Sequence, residues 1–191
     1  MTDTGGLFDL SIPIIQAPMA GVSTPALAAA VCNAGGLGSL GIGASPLAEA
    51  HRMLEQARAL TNRPFNVNVF CHQPAQRDPA REAAWLRHLA PLFAETGSHP
   101  PSALAEPYKT FLADDDAFRM LLAQRPAIVS FHFGIPSQER LAAIRDAGIR
   151  TVATATNPRE AALIEQADRC HRGAGHRGRR PSRRLRPGGC G

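Results

Sequence analysis

Two polar side chains stand inside apolar strand patterns and are the first candidates for chemistry. Asn68 lies in RPFNVNVF (63–70), among β-branched and aromatic residues where asparagine is disfavoured. A residue placed against local propensity points to function, and an amide can both donate and accept. His132 ends the strand pattern of SFHFG (130–134). Alternation puts Ser130 and His132 on one face and Phe131 and Phe133 on the other. If the first face is the interior of a barrel, His132 reaches its mouth, as a substrate contact or as a satisfied structural histidine. The third candidate group is Ala17, Pro18 and Met19 in IPIIQAPMAG (12–21), where a short strand stops at a proline-stiffened loop. Such a loop presents backbone groups at a fixed position. Thr154 and Thr156 read as ordinary strand threonines near the same mouth. His51, His88 and His99 read as surface residues.

The elements that must hold these residues alternate along the chain. Apolar runs at 12–17, 37–42, 65–70, 127–132 and 149–155 read as strands. Helical patterns fall at about 24–34, 46–60, 79–94, 108–124, 137–147 and 158–167. Thr24 is the expected N-cap of the first helix and Pro25 its first residue, and Gly35-Gly36 its stop. Alternating strands and helices predict a parallel sheet with five strand–helix units, whose loops at the C-terminal strand ends carry the site. The longest connection holds TGSHPPSALAEP (96–107), a stretch suited to an excursion over that mouth. The glycine run at 34–38 lacks GxGxxG spacing and precedes a strand, so it is not a dinucleotide fingerprint.

Composition bounds the rest. The 191 residues suit one domain but are short for a complete (β/α)₈ barrel, which takes about 250. No run of roughly 18 apolar residues suits a membrane span, and the opening MTDTGGLFDL lacks the features of a signal peptide. Cys32, Cys71, Cys170 and Cys190 have no metal-ligand or CxxC spacing, so no metal is expected and the cytoplasm is the default compartment. The net charge of +5 is set by the last 23 residues, which hold eight arginines and no acid. Without those eight, 13 basic residues face 16 acids, so residues 1–168 carry −3.

PIIQAPMAGVSTPALAAAVCNAGGLGSLG (13–41) resembles the amino-terminal signature of the nitronate monooxygenases, also called 2-nitropropane dioxygenases. RPFNVNVF (63–70), AIVSFHFGIP (127–136) and IRTVATATNPREA (149–161) are similar to later segments of that family, in the same order. The resemblance covers residues 12 to about 167. It implies an incomplete TIM barrel that binds FMN and oxidises a nitronate or nitroalkane with dioxygen. It also implies that Ala17, Pro18 and Met19 line the isoalloxazine and that Asn68 contacts its pyrimidine edge. His132 is carried over as a neighbour of that site. Asn66 stands where the family commonly has glycine.

A sixth strand is due near residue 169. RCHRGAGHRGRRPSRRLRPGGCG follows instead, a composition that cannot bury enough surface to order itself. Read from the second base of each codon, within the degeneracy of the code, 169–172 can become Ala-Val-Ile-Ala. The codons over 176–183 can become IEAGGHRG, and those over 184–187 VFDP, which resemble the family's next signature. The expectation is a frameshift at about residue 169, leaving residues 1–168 as a partial FMN-binding barrel and 169–191 as an out-of-frame disordered tail. The family's proposed base, a histidine, would then fall over Pro181 and be lost, so no catalytic residue is assigned. The visible His176 comes too early to replace it. Two other readings carry less. A related FMN-dependent enoyl-acyl-carrier-protein reductase has a similar amino-terminal signature. A nucleic-acid binder would use the basic tail, which has no aromatic residue to stack on bases. The expected partners are a small nitronate and dioxygen, with neither nucleic acid nor membrane.

Overall fold

The computed structural model describes Phe8, the backbone of residues 10–175 and side chains through Ala167. Its first helix, α1 (Pro25–Asn33), starts where expected, with Thr24 Oγ1 accepting from Leu27 N at 3.1 Å and Pro25 at the first helical position. The order continues β1 (Ser39–Gly41), α2 (Leu47–Leu60), β2 (Asn66–Phe70), α3 (Pro79–Glu95) and α4 (Asp115–Gln124). It ends with β3 (Ile128–His132), α5 (Gln138–Asp146), β4 (Arg150–Ala153) and α6 (Pro158–Gly175).

The four strands lie in sequence order and every pairing is parallel. In register, Gly41 lies beside Asn68, Asn68 beside Ser130, and Phe70 beside His132. One face carries Leu40, Val67, Val69, Val129 and Phe131, all buried with Leu54, Ala57, Leu121 and Ile144 of the surrounding helices. The other face is polar toward its middle, with Ser39, Asn66, Asn68 and Ser130. Its floor is closed by Phe8, Leu37 and Ile128, with the Arg150 guanidinium 5.6 Å from the Phe8 ring centroid.

Three elements depart from the sequence reading. Residues 12–17 do not form a full strand but a single parallel bridge from Ile15 to Leu37. Pro13 has no N–H to give. The Ser39 amide, which a longer ladder would use, donates to the Gln16 side-chain oxygen at 2.9 Å. The single helix expected over 108–124 is instead a 3₁₀ turn at Phe111–Ala113 followed by α4. The break comes from two successive caps: Thr110 accepts from Leu112 N at 3.3 Å, and Asp114 from Ala117 N at 3.1 Å. Finally, α6 runs past residue 167 to Gly175, beyond the expected tail boundary. The remaining basic tail, His176 included, lies outside the described residues. No helix among them is long and apolar enough to cross a membrane.

Candidate functional site

The loop 17–22 is held by two side chains that the sequence reading did not single out, Gln16 and Ser23. The buried Ser23 hydroxyl accepts from Met19 N at 2.8 Å and donates to Ala17 O at 3.0 Å. Gln16 Nε2 donates to the same hydroxyl at 2.7 Å and to Ala17 O at 2.6 Å. Ala17 and Met19 are thereby fixed from the side, in addition to the backbone turn in which Val22 N and Ser23 N donate to Met19 O at 3.1 and 2.8 Å. The loop lies directly over Gly41: a Cβ there would stand 3.0 Å from Pro18 O and 3.2 Å from Ala20 N. Only glycine permits that approach without displacing the loop. Since Gly41 is the register partner of Asn68, the loop and Asn68 sit on adjacent strands at one end of the sheet.

Asn68 is 1% exposed. Its Nδ2 donates to Ser130 O at 3.1 Å and to Ser130 Oγ at 3.0 Å. A backbone carbonyl can only accept, so this contact fixes which amide atom faces Ser130. The carbonyl oxygen of Asn68 is the remaining acceptor of that amide. Asn66 joins the same cluster, its Nδ2 reaching Ser130 Oγ at 2.9 Å and Ser39 Oγ at 3.2 Å. Its own Oδ1 is buried without a partner, a cost normally avoided. Ser39 and Ser130 carried no signal in the sequence, since serine is common in every context. Their roles come from the register that brings them to the asparagines.

His132 lies one strand over, paired with Phe70. Its Nδ1 is 3.1 Å from Thr154 Oγ1. Thr156 serves a local purpose instead: its N and Oγ1 donate to Glu160 Oε2 at 2.7 and 2.9 Å, at the start of α6. Those bonds hold the Glu160 carboxyl below its usual range.

The expectation that Phe131 and Phe133 share a face is corrected. Phe131 is buried on the helix side at 6.2 Å from Phe111, while Phe133 adopts φ +66° and breaks the alternation. Its ring turns to the inner side, 5.3 Å from Phe70 and 5.2 Å from His132. Gly134 follows at φ +135°, where an added Cβ would meet Cys71 O at 2.8 Å. Tyr108, from the long connection, lies 5.8 Å from Phe70 and completes a row of four rings. That row separates a cavity of about 320 Å³, lined by Phe70, Tyr108 and Lys109, from one of about 490 Å³, lined by His132, Phe133 and Thr154. The connection itself is tied down by Thr110 Oγ1, which donates to His72 O at 2.6 Å.

Burial works against thiol chemistry at the two described cysteines. Burial pushes the Cys71 thiol up to about 12, far from reactive thiolate. Burial likewise raises Cys32, whose Sγ accepts from Gly38 N at 3.2 Å and donates to Pro64 O at 3.3 Å. Among the described residues no cluster of histidine, cysteine or carboxylates has metal-site geometry. What the arrangement offers is a backbone loop held by side chains, the amide of Asn68, one histidine and an aromatic wall at the C-terminal end of a parallel sheet.

Comparison with known proteins gives the family and the fold. The family profile described as nitronate monooxygenase matches residues 3–178. A nitronate monooxygenase of Paraburkholderia phytofirmans is 56% identical over 173 residues, covering 87% of this chain and 47% of the relative. One from Pseudomonas aeruginosa is 55% identical over 161 residues, covering 84% of this chain and 46% of the relative. The chain thus spans about half the length of these relatives. The crystal structure of a nitroalkane oxidase from Streptomyces ansochromogenes superposes with a TM-score of 0.72 at 40% identity, over 83% of this chain and 44% of that one. FabK from Thermotoga maritima superposes at 0.61 with 23% identity, over 86% of this chain and 40% of its own, a likeness of fold alone. The parallel sheet described above is therefore part of an incomplete TIM barrel, and the chain belongs to the nitronate monooxygenase family.

Proposed function

We propose that this chain forms the flavin-facing first half of a site that oxidises nitronates or nitroalkanes with FMN and dioxygen. The observation that carries the reading is Asn68, anchored on Ser130 through its Nδ2 so that its carbonyl oxygen remains the acceptor, beside a backbone loop that closes over Gly41. A flavin ring offers an N–H on its pyrimidine edge, and a fixed amide carbonyl is its natural acceptor. Ala17, Pro18 and Met19 would lie along the ring, with Met19 already 43% exposed on the surface of the loop. When bound, FMN supplies the electron transfer from the carbanion-like substrate to dioxygen; the protein binds, orients and tunes it. His132, held by Thr154, would meet the substrate's polar end.

The test is titration of FMN with the 191-residue chain, followed by fluorescence quenching. Binding is expected to be weak and to fall on Asn68→Ala. No quenching at any protein concentration would overturn the reading. We further propose that residues 169–191 are out of frame and that the chain alone is inactive. Two free, buried cysteines suit a reducing cytoplasm.

A further inference from the structure

Asn66 is an inner-face residue whose presence the fold alone does not explain. It stands on β2, with Ser39 of β1 as its register partner on one side and Ile128 of β3 on the other, away from the open end of the sheet at β4. It is 4% exposed, and its Oδ1 is buried without a partner among the described residues. A buried acceptor that meets no donor is unfavourable, and an apolar side chain of the same shape would avoid the loss. Turning the amide over does not help. Oδ1 would then face the two serine hydroxyls, and Nδ2 would be left with both of its hydrogens unpaired in place of one oxygen. Asparagine at this position therefore needs a role beyond stability.

The other end of the amide supplies that role. Nδ2 donates to Ser39 Oγ at 3.2 Å and reaches diagonally across the sheet to Ser130 Oγ at 2.9 Å. The same Ser130 oxygen accepts from Asn68 Nδ2 at 3.0 Å. A hydroxyl oxygen has two acceptor sites, so the two asparagines fill both. Asn68 meets Ser130 a second time, at the backbone oxygen, at 3.1 Å. That backbone oxygen moves only with the strand, whereas the hydroxyl turns between staggered positions about χ1 unless something holds it. Asn66 is what holds it. With two fixed acceptors the plane of the Asn68 amide is set; with one, the amide pivots about the remaining bond.

We infer that Asn66 is a positioning residue: through the Ser130 hydroxyl it fixes the plane of the Asn68 amide, so that the group meeting the flavin is ordered before the flavin arrives. The consequence for flavin rests on the reading above, and the ordering of Asn68 does not. An amide ordered in advance has no such freedom to lose on binding. Removing Asn66 should therefore weaken FMN binding about two- to tenfold, the range set by ordering one side chain.

The experiment uses the 191-residue chain and its Asn66→Leu, Asn66→Ala and Ser39→Ala variants, each titrated with FMN and unfolded in urea. In dilute solution without FMN, heteronuclear NMR follows the Asn68 side-chain amide, whose signals are identified by their loss in Asn68→Ala. Asn66→Leu removes the orphaned oxygen together with the rest of the amide. Its unfolding midpoint should stay or rise, while FMN binding weakens by the stated factor and the Asn68 amide hydrogens exchange faster with water. Asn66→Ala should give the same flavin and exchange results with a lower midpoint, because it also leaves a cavity. Ser39→Ala keeps the contact between Asn66 and Ser130, so it should lower the midpoint and leave FMN affinity and slow exchange intact. A purely structural role does not produce that crossed pattern. Unchanged FMN affinity and unchanged Asn68 exchange in both Asn66 variants would overturn the inference, as would changes that simply follow the unfolding midpoint from variant to variant. An absence of quenching by the unaltered chain would remove the flavin reading, and the exchange data would then score the positioning of Asn68 by themselves.

Discussion

Asn68 gives both of its side-chain amide contacts to one residue, Ser130, at 3.1 Å to the backbone oxygen and 3.0 Å to the hydroxyl. The pair spans the register position where β2 meets β3, so the orientation of a single amide is set by the pairing of two strands. Ser130→Ala removes the hydroxyl that accepts from both Asn66 and Asn68, and leaves a buried Asn66 amide with Ser39 alone. We expect a loss of about 1–3 kcal/mol in unfolding free energy. FMN affinity should fall less than on Asn68→Ala, because Ser130 O still holds the amide. Urea unfolding and FMN titration of the two variants check the order.

Ser23 supports the other half of the site. Its hydroxyl is the common partner of Met19 N, Ala17 O and Gln16 Nε2. Ser23→Ala should leave the sheet intact and loosen loop 17–22. The expected outcome is faster proteolytic cleavage near Met19 and weaker FMN quenching, with little change in far-ultraviolet circular dichroism. Unchanged cleavage would mean that the Gln16 contact to Ala17 O is sufficient.

The strands that position the candidates were legible because Val67, Val69, Val129 and Phe131 carry a β pattern that only burial against helices satisfies. Asn68 was legible as the residue that breaks the pattern. Phe133 was not, since alternation assumes a continuous strand and cannot anticipate a residue at positive φ. Nor was the reduction of residues 12–17 to one bridge, which depends on a side chain, Gln16, taking a backbone partner. Both misses share a cause: a local backbone choice made by a contact distant in sequence, Cys71 with Gly134 and Gln16 with Ser39.

Cys71 sets a pH dependence. Burial raises its folded-state value to about 12 from an ordinary 9.0. Below pH 9 the thiol is neutral in both states and the folded form bears no penalty. Between about 9 and 12 the unfolded chain ionises first, so stability falls as pH rises. Denaturation midpoints at pH 8 and pH 10.5 should show a decline that Cys71→Ser or Cys71→Ala reduces. The native thiol should also resist alkylation at pH 8.

Helix α1 packs on the sheet behind the site, with Ala28, Ala29 and Cys32 buried, and is capped by Thr24. Thr24→Ala should cost about 1 kcal/mol, visible as a lower melting temperature. Thr24→Ser should restore most of it, because the hydroxyl and not the methyl group makes the cap.

The last expectation concerns the whole chain. Among the described residues β4 pairs with β3 on one side only, and the segment 12–17 offers a single bridge at the opposite edge. Parallel strands with unpaired edges invite association through their free N–H and C=O groups. Val152 on β4 and Ile12, Ile14 and Ile15 at the far edge are exposed apolar residues. In a closed barrel such positions lie beside further strands. The 191-residue chain should therefore aggregate readily, retain little FMN through purification and take up no oxygen with a nitronate. Sequencing of the gene across the codons for Ala167 to Cys170 should reveal a missing or extra base. Restoring the frame from residue 169 should recover both flavin and oxygen uptake. A yellow, soluble preparation of the present chain that consumes oxygen with nitronate would show that the half-barrel is sufficient and that the frameshift argument is wrong.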